Sequence, residues 1–456
     1  MTEATEANPS AGEVAERPIF DVGINQRLAL LPLLMLGLQN IFGMTGMFVF
    51  PGLLGRSFNL APEQIAYLYA MTFLVCGVTT VLQSVILLRL PIIQGAYAGS
   101  FGALLAAGHL QSAGLGAAYG SFFVASLIWC ALTLPIRGWS VVGPLARFLR
   151  SPMISGMIVM LIIIQISNVA LPNWIGLPTS PGFPLLNLAA GAAAVLMLIL
   201  VTIWGPATLR RGAILVALAC GTACYAAIEP ISFASVVQAP WLVTPHWFPF
   251  GLAVAPDLVA VFLMILVPAG MGSMALYQIV ASWGKESLSD VRMSQGVFAM
   301  ALGSVLAAIV GGFSTIVYPD NVGMLRSTRV GSRFATLAAG LLLIGLGSCV
   351  KFDMLLVLVP LPVLSAAATL LFGIVFMHGV HMLANVEWDD RNLIAAGLAA
   401  LIGLGGLFIS PDVMNHMPLI AQLVLRQPVV SGGITVIVLH ALLGRRPPRS
   451  AAPTAL

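Results

Sequence analysis

The chain has 456 residues, of which 59% are hydrophobic and 8% charged. About a quarter of an ordinary soluble domain is charged, so a soluble fold is excluded and lipid must be the solvent for much of this surface. The formal net charge of +4 sits at the ends of apolar runs and points to no nucleic-acid partner.

The apolar runs are long and continuous rather than alternating, which predicts an all-α polytopic membrane protein and not a β-barrel. Residues 1–27 read as a disordered cytoplasmic tail without a cleavable signal sequence. About fourteen membrane segments follow. The first set of seven lies near residues 28–50, 65–88, 90–107, 116–135, 151–171, 186–205 and 212–228. The second lies near 256–283, 295–312, 320–333, 335–350, 355–378, 392–410 and 429–444, before a short cytoplasmic tail at 445–456. Alternating these segments from a cytoplasmic N-terminus leaves only Arg56, Lys351 and Arg426 of the 20 Lys and Arg outside. That asymmetry obeys the positive-inside rule and sets both termini in the cytoplasm of an inner (plasma) membrane.

Two segments are abnormal. Residues 90–107 begin with Pro91 and carry Gln94, Gly95, Tyr97, Ala98, Gly99, Ser100 and Gly102. Residues 314–333 hold Ser314, Thr315, Tyr318, Pro319, Asp320 and Asn321, then a short helix containing Arg326. Each is third in its set of seven. Short, Gly/Pro-interrupted spans at matching positions in two halves point to the binding site of a secondary transporter. Seven is odd, so residues 28–228 and 229–444 form a 7+7 inverted repeat. Where a span is broken, backbone donors and acceptors are stable only if they line a protein-walled cavity, and helix N-termini add N–H donors. Such a site suits a small planar ligand.

Asp320 is a candidate ligand-binding group, because an ionisable residue at membrane depth is costly to keep; it also suits a helix N-cap. Asn321 reads as a cap or cavity brace. Gln94 and Gln39 either bond ligand or brace helices. Residues 258–285 contain no Asp or Glu; their polar groups are Ser273, Tyr277, Gln278 and Ser282. Arg326 either attracts an anion or snorkels to the cytoplasmic surface. The five cysteines all lie in apolar runs and read as core residues, so no metal site is expected. His109 and His440 have no visible partner for a proton relay. No nucleophile–base set points to an enzyme, and no filter motif points to a channel.

At 320–329 the chain reads Asp-Asn-Val-Gly-Met-Leu-Arg-Ser-Thr-Arg. This resembles the signature of the nucleobase–ascorbate transporter family, with Asn321, Gly323, Thr328 and Arg329 at matching positions. Gly311-Gly312-Phe313 and Ser332-Arg333 match its flanks. Leu38-Gln39-Asn40, Pro152 with residues 155–162, Ala239-Pro240-Trp241, Pro360-Leu361-Pro362-Val363 and Arg391-Asn392-Leu393 resemble family segments elsewhere. The resemblance implies fourteen spans, with a core domain of spans 1–4 and 8–11 and a gate domain of spans 5–7 and 12–14. It further implies a homodimer that takes up uracil, xanthine, urate or a related base with a proton or sodium ion, and no cofactor. Asp320 would bond the ring N–H, with backbone groups at Pro319 and Ala98 completing the contacts, and Tyr97 and Tyr318 beside them. The family's eighth-span glutamate has no counterpart here, which leaves the substrate, the coupling ion or both open and makes Tyr277 and Gln278 the candidates to take over its contacts. The rival reading is an anion carrier of the sulfate-permease type, with Arg326 as the charge partner.

Overall fold

The structure is a computed structural model that describes residues 19–42, 44–110, 114–135, 151–167, 170–180, 182–206, 209–210, 212–384 and 386–443. A helix lies under each expected segment. These are α1 (Leu30–Phe42), which bends through 67° into Gly46–Ser57 with α2 (Phe50–Ser57); α3 (Pro62–Val81), continued by a π-helical turn, Leu82–Leu87; α4 (Ala98–Leu110); α5 (Leu115–Thr133); α6 (Pro152–Ile166); α7 (Leu185–Trp204); and α8 (Ala213–Ala226). The second half holds α9 (Pro256–Trp283), α10 (Asp290–Val310), α11 (Pro319–Thr328), α12 (Arg333–Ser348), α13 (Val350–Val357), α14 (Leu361–Leu383), α15 (Asp390–Gly405) and α16 (Pro428–Leu443). Two short strands, β1 (Gln94–Ala96) and β2 (Thr315–Val317), form one antiparallel ladder. Among the described residues, eight helices are long and apolar enough to cross a bilayer, and the bent α1–α2 pair makes a ninth.

Local chemistry sets the helix ends. Proline stands in the first turn of α2, α3, α6, α9, α11 and α14, where its missing N–H costs no helical bond. Ser289 and Asp389 cap α10 and α15 by accepting from the amides of Arg292 and Asn392. Gly311 ends α10 at φ 84°, a left-handed conformation that favours glycine.

The helices pack most closely in two groups. Helices α1–α5 and α9–α12 form one, and α6–α8 with α14–α16 form the other, with thinner contacts between them. Glycine pairs permit the tightest crossings. A Cβ on Gly77 of α3 would lie 2.6 Å from the Gly340 carbonyl of α12, and one on Gly156 of α6 would lie 2.9 Å from the Gly379 carbonyl of α14. Small residues that bring backbones together are the usual interface of helices in lipid, where apolar side chains alone drive no association. The outer faces are apolar: Trp204 is 71%, Leu401 70% and Phe408 83% exposed. This is a multi-pass membrane protein.

Residues 1–18 and 444–456 lie outside the described residues. Residues 19–27, which the sequence reading assigns to a disordered tail, are ordered. Phe20 and Ile24 are buried, and Asp21 N–H donates to the Arg329 carbonyl (2.8 Å) while Gly331 and Arg333 N–H donate back to Val22 (2.9 Å) and Ile24 (3.0 Å). Two isolated apolar residues in a polar stretch carry no periodic signal, so composition alone hides this strand-like strap.

Replacing Gly77 or Gly340 with Val is expected to cost about 1–3 kcal/mol by overpacking the α3–α12 crossing. It would appear as a lower thermal midpoint of the purified protein, whereas Gly345→Val, where a Cβ meets nothing within 4 Å, should leave the midpoint unchanged.

Candidate functional site

The two interrupted segments meet. Gln94, Gly95 and Ala96 pair with Val317, Ile316 and Thr315, and the ladder is extended by Tyr97 N–H to the Ser314 carbonyl (2.8 Å) and Tyr318 N–H to the Ile93 carbonyl (3.3 Å). Because the strands are antiparallel, α4 and α11 leave from opposite ends of the same ladder, whose terminal residues are roughly 7 Å apart. Each helix presents unpaired N–H groups and the positive end of its dipole there. Ala98 opens α4 and is half-buried, while Tyr97 and Tyr318 flank the ladder at 6% and 9% exposure. The Tyr318 hydroxyl donates to the Ala96 carbonyl (3.3 Å). Its ring fills the space where Gly46 and Gly95 lack side chains; a Cβ on either would collide with it.

Gln94 and Tyr277 are fully buried and belong to one network. Gln94 Nε2 donates to Gln83 Oε1 (2.6 Å), and Gln83 Nε2 donates to the Tyr277 hydroxyl (2.6 Å) and to the Gly296 carbonyl (2.9 Å). Gln83 lies in the π-helical turn after α3, and such turns are frequent at functional sites. It is absent from the sequence candidates because it sits inside an apolar run; its one signal is an amide where lipid-depth residues are apolar. Gln278 is half-buried, with Nε2 3.5 Å from the Met293 sulfur.

Asn321 is buried and ties α11 to α1: its Nδ2 donates to the Asn40 carbonyl (3.0 Å) and Oδ1 (3.1 Å), and Asn40 Nδ2 donates to the Leu36 carbonyl (2.8 Å). Gln39 is buried beside it on α1. Pro319 and Asp320 form the first turn of α11, and their side chains, like that of His109, lie outside the described residues. Gly323 is exposed with open space around its Cβ direction. The Thr328 hydroxyl donates to the Met324 carbonyl (2.9 Å), and Arg329 ends the helix at φ 55°. Arg326 is exposed and lies over the Trp283 ring at 5.9 Å. Three buried acceptors near the ladder have no partner among the described residues: Gln94 Oε1, Thr315 Oγ1 and Asn321 Oδ1. A buried polar atom without a partner is uncommon in a native fold.

A second polar feature lies away from the ladder. Asp353 of α13 is fully buried, and neither carboxylate oxygen has a hydrogen-bond partner among the described residues. Helix α13 has eight residues, too short to cross a bilayer. Its N-terminal dipole favours a carboxylate by about 0.3–1 kcal/mol, whereas burying an unpaired ion costs several kcal/mol. The neutral form wins, and burial pushes the carboxyl up to about 9. In sequence Asp353 lies between the apolar segments 335–350 and 355–378, and nothing local marks it as a site residue.

The model of a permease family, the xanthine/uracil permease model, matches residues 31–411. Among relatives, the uric acid permease PucK of Bacillus subtilis is 29% identical over 430 residues, covering 92% of this chain and 97% of its own. The nucleobase transporter PlUacP of Paenibacillus larvae is 28% identical, covering 91% and 95%. The xanthine permease of Bacillus subtilis is 25% identical, covering 89% and 92%. Among solved structures, the transmembrane domain of the cyanobacterial bicarbonate transporter BicA aligns with TM-score 0.53 at 16% identity, over 92% of this chain and 99% of its own. Murine Slc26a9, an anion transporter in the inward-facing state, aligns with TM-score 0.56 at 14% identity, over 92% and 69%. At these identities the likeness is one of fold.

The Asn40–Asn321 contact yields a direct test. Asn40→Leu and Asn321→Leu should each lower the thermal midpoint, and the double variant should lose less than the sum. The coupling expected of residues in contact is about 0.5–3 kcal/mol.

Proposed function

From the premise that the chain belongs to the nucleobase–ascorbate transporter (permease) family, a family of carriers and not of enzymes, we propose that it is a secondary transporter importing a nucleobase. The uric acid and xanthine named for its relatives make an oxidised purine the first substrate to test, with uracil and related bases beside it. The observation that carries this reading is the ladder joining the two interrupted segments. A heterocycle with ring N–H and C=O groups needs donors and acceptors in one plane. The first turns of α4 and α11 offer donors, and Asp320, with the unpartnered oxygens of Gln94 and Thr315, offers acceptors. Tyr97 and Tyr318 provide aromatic walls. Tyr277 and Gln83 hold Gln94 in place, and Asn321, through Asn40, holds α11.

The fourteen helical segments are read as two inverted sets of seven, residues 28–228 and 229–444, with both termini in the cytoplasm of the inner membrane. The two helix groups serve as core and gate, and sliding of one against the other alternates access to the ladder. Uptake is coupled to a proton or sodium ion, and the protein works as a homodimer. The anion-carrier alternative needs Arg326 as charge partner, and the exposure of Arg326 over Trp283 speaks against it.

Uptake of labelled uric acid, xanthine, hypoxanthine, adenine and uracil into cells lacking their own carriers tests this. At least one base should accumulate, and Asp320→Ala should cut its uptake by roughly 10- to 100-fold, the worth of one lost charge-assisted hydrogen bond, at unchanged membrane abundance. Absence of uptake by a correctly inserted wild type would refute the reading.

A further inference from the structure

Asp353 is unexplained by the site above. A fully buried acid without a partner weakens a fold, so its surroundings bear on why it is there.

Helix α13 belongs to a connector. Residues 349–360 carry the chain from α12, in the first helix group, to α14, in the second. A second connector, residues 227–255, returns from α8 to α9 and runs beside it. Leu242 bridges Cys349, Val243 N–H donates to the Ser348 carbonyl (3.1 Å), and Val350 N–H to the Trp241 carbonyl (3.2 Å). Lys351 Nζ donates to the carbonyls of Val236 (3.1 Å) and Val237 (2.7 Å) and lies over Trp241. On the inner side α13 packs on α3, where Phe352 meets Phe73 with ring centroids 5.9 Å apart. The Arg56 guanidinium of α2 donates to the carbonyls of Val357 (2.8 Å) and Val359, pinning the end of the connector to the first group. Two of the stretches that must absorb any relative movement of the helix groups are thus stitched together over Asp353.

Among the described residues, no cation neutralises it. Lys351 is turned to the second connector, and Arg56 is spent on backbone carbonyls. On α3, Tyr69 lies within the field of both Arg56 and Asp353, but its hydroxyl donates to the Phe48 carbonyl (3.0 Å). Tyr67 is bonded to His246, Glu63 is exposed, and Cys76 is a buried thiol. Tyr225 of α8 faces Arg56. The short helix Ala234–Gln238 has no titratable residue, and the only cation on α12, Arg333, is at its far end.

We propose that Asp353 is a protonation latch on this connector: the packed arrangement closes only over the neutral carboxyl, so that the rate of uptake depends on the pH at this face. The inference rests on the transporter reading, which puts Arg56, Lys351 and this face outside. When α13 lifts and water reaches the carboxyl, its O–H bond breaks, the proton passes to water, and a hydrated carboxylate remains. Closing requires one proton back from the same side.

The sign of the effect follows from linkage. The packed carboxyl holds its proton up to about 9, against 3.8 for an unperturbed one. The stability it contributes is therefore complete below the lower value and is lost as pH rises toward the upper one.

The test uses the full-length protein as wild type, Asp353→Asn and Asp353→Glu. Thermal midpoints of the purified proteins are measured from about pH 5 to 9, with uptake of labelled uric acid and xanthine into cells over the same external range. The wild-type midpoint should fall with pH, and that of Asp353→Asn should stay flatter. Wild-type uptake should decline by up to about tenfold per pH unit once closure limits the rate, while Asp353→Asn should decline less steeply and exceed wild type at the alkaline end. Asp353→Glu should keep a pH dependence, which also carries the test if the amide variant does not insert. Equal midpoint profiles for wild type and Asp353→Asn overturn the buried neutral acid. Different midpoint profiles with the same pH dependence of uptake overturn its link to transport. A wild type that takes up neither base at any pH refutes the transporter reading instead, and the midpoint profiles then decide whether Asp353 holds its proton.

Discussion

Two buried backbone segments without helical hydrogen bonds, in the interior of a multi-pass membrane protein, set the conditions for this fold. Each would be intolerable alone, because lipid offers no partner for an exposed N–H or C=O. The antiparallel pairing of Gln94–Ala96 with Thr315–Val317 lets each satisfy the other. Much else follows from that ladder. Its register fixes where α4 and α11 begin, so two helix N-termini stand at its opposite ends. It also places Tyr318 against Gly46 and Gly95, where any side chain would displace the ring. Helix α11 is then too short to reach across the bilayer, and the N-terminal strap at residues 19–27 and the left-handed Arg329 shape its far end.

The ladder is braced from outside by polar residues that bury no formal charge. Gln83 is the hub, linking β1, α9 and α10 through three side-chain hydrogen bonds. The π-helical turn that carries it ends with carbonyls that would otherwise lack partners. Arginines from neighbouring helices take them: Arg292 donates to Leu88 (2.7 Å) and Arg89 (3.0 Å), and Arg333 donates to Val85 (3.3 Å). The same residues that make the positive-inside pattern in the sequence therefore anchor α10 and α12 to the end of α3.

The sequence exposes features whose cause is local. Pro91, Gly95 and Gly99 in one segment and Pro319 with Asp320 and Asn321 in the other break an apolar run within a few residues, and so both interruptions are readable. That the two breaks pair with each other, and in which register, is a contact across more than two hundred positions, and nothing local encodes it. The same limit hides Asn40 as the partner of Asn321. Gln94, Tyr277 and Gln83 are all polar residues in apolar runs, but that Gln83 joins the other two is not legible, because only the fold brings it between them. Arg326 is ambiguous in sequence between pairing and snorkelling, and its contact with Trp283 is a meeting of two helices that nothing local encodes. Asp353 is misleading for another reason. Acids between helices are normally solvated, and only the packing of α13 against α3 and the second connector buries this one.

Ionisable and neutral polar groups are sorted by place in the described structure. The bracing around the ladder uses amides and a phenol, whose hydrogen bonds keep the same donors and acceptors across the physiological pH range and whose burial costs far less than that of an ion. Such a network can orient a ligand rigidly, but it cannot respond to a proton. The described groups that carry charge at neutral pH gather where helices end and connectors begin: Arg292, Arg333 and Glu286 at one face, Arg56 and Lys351 at the other. Most of them hold backbone carbonyls or one another and have fixed work to do. Asp353 differs, since packing removes its water and supplies no partner in return. A conformation that gives the water back changes the charge of the connector, and a conformation that withdraws it cannot form until the charge is gone. The joint between the two helix groups thus holds a buried carboxyl without a described partner, whereas the side chains described as bracing the ladder are amides and a phenol.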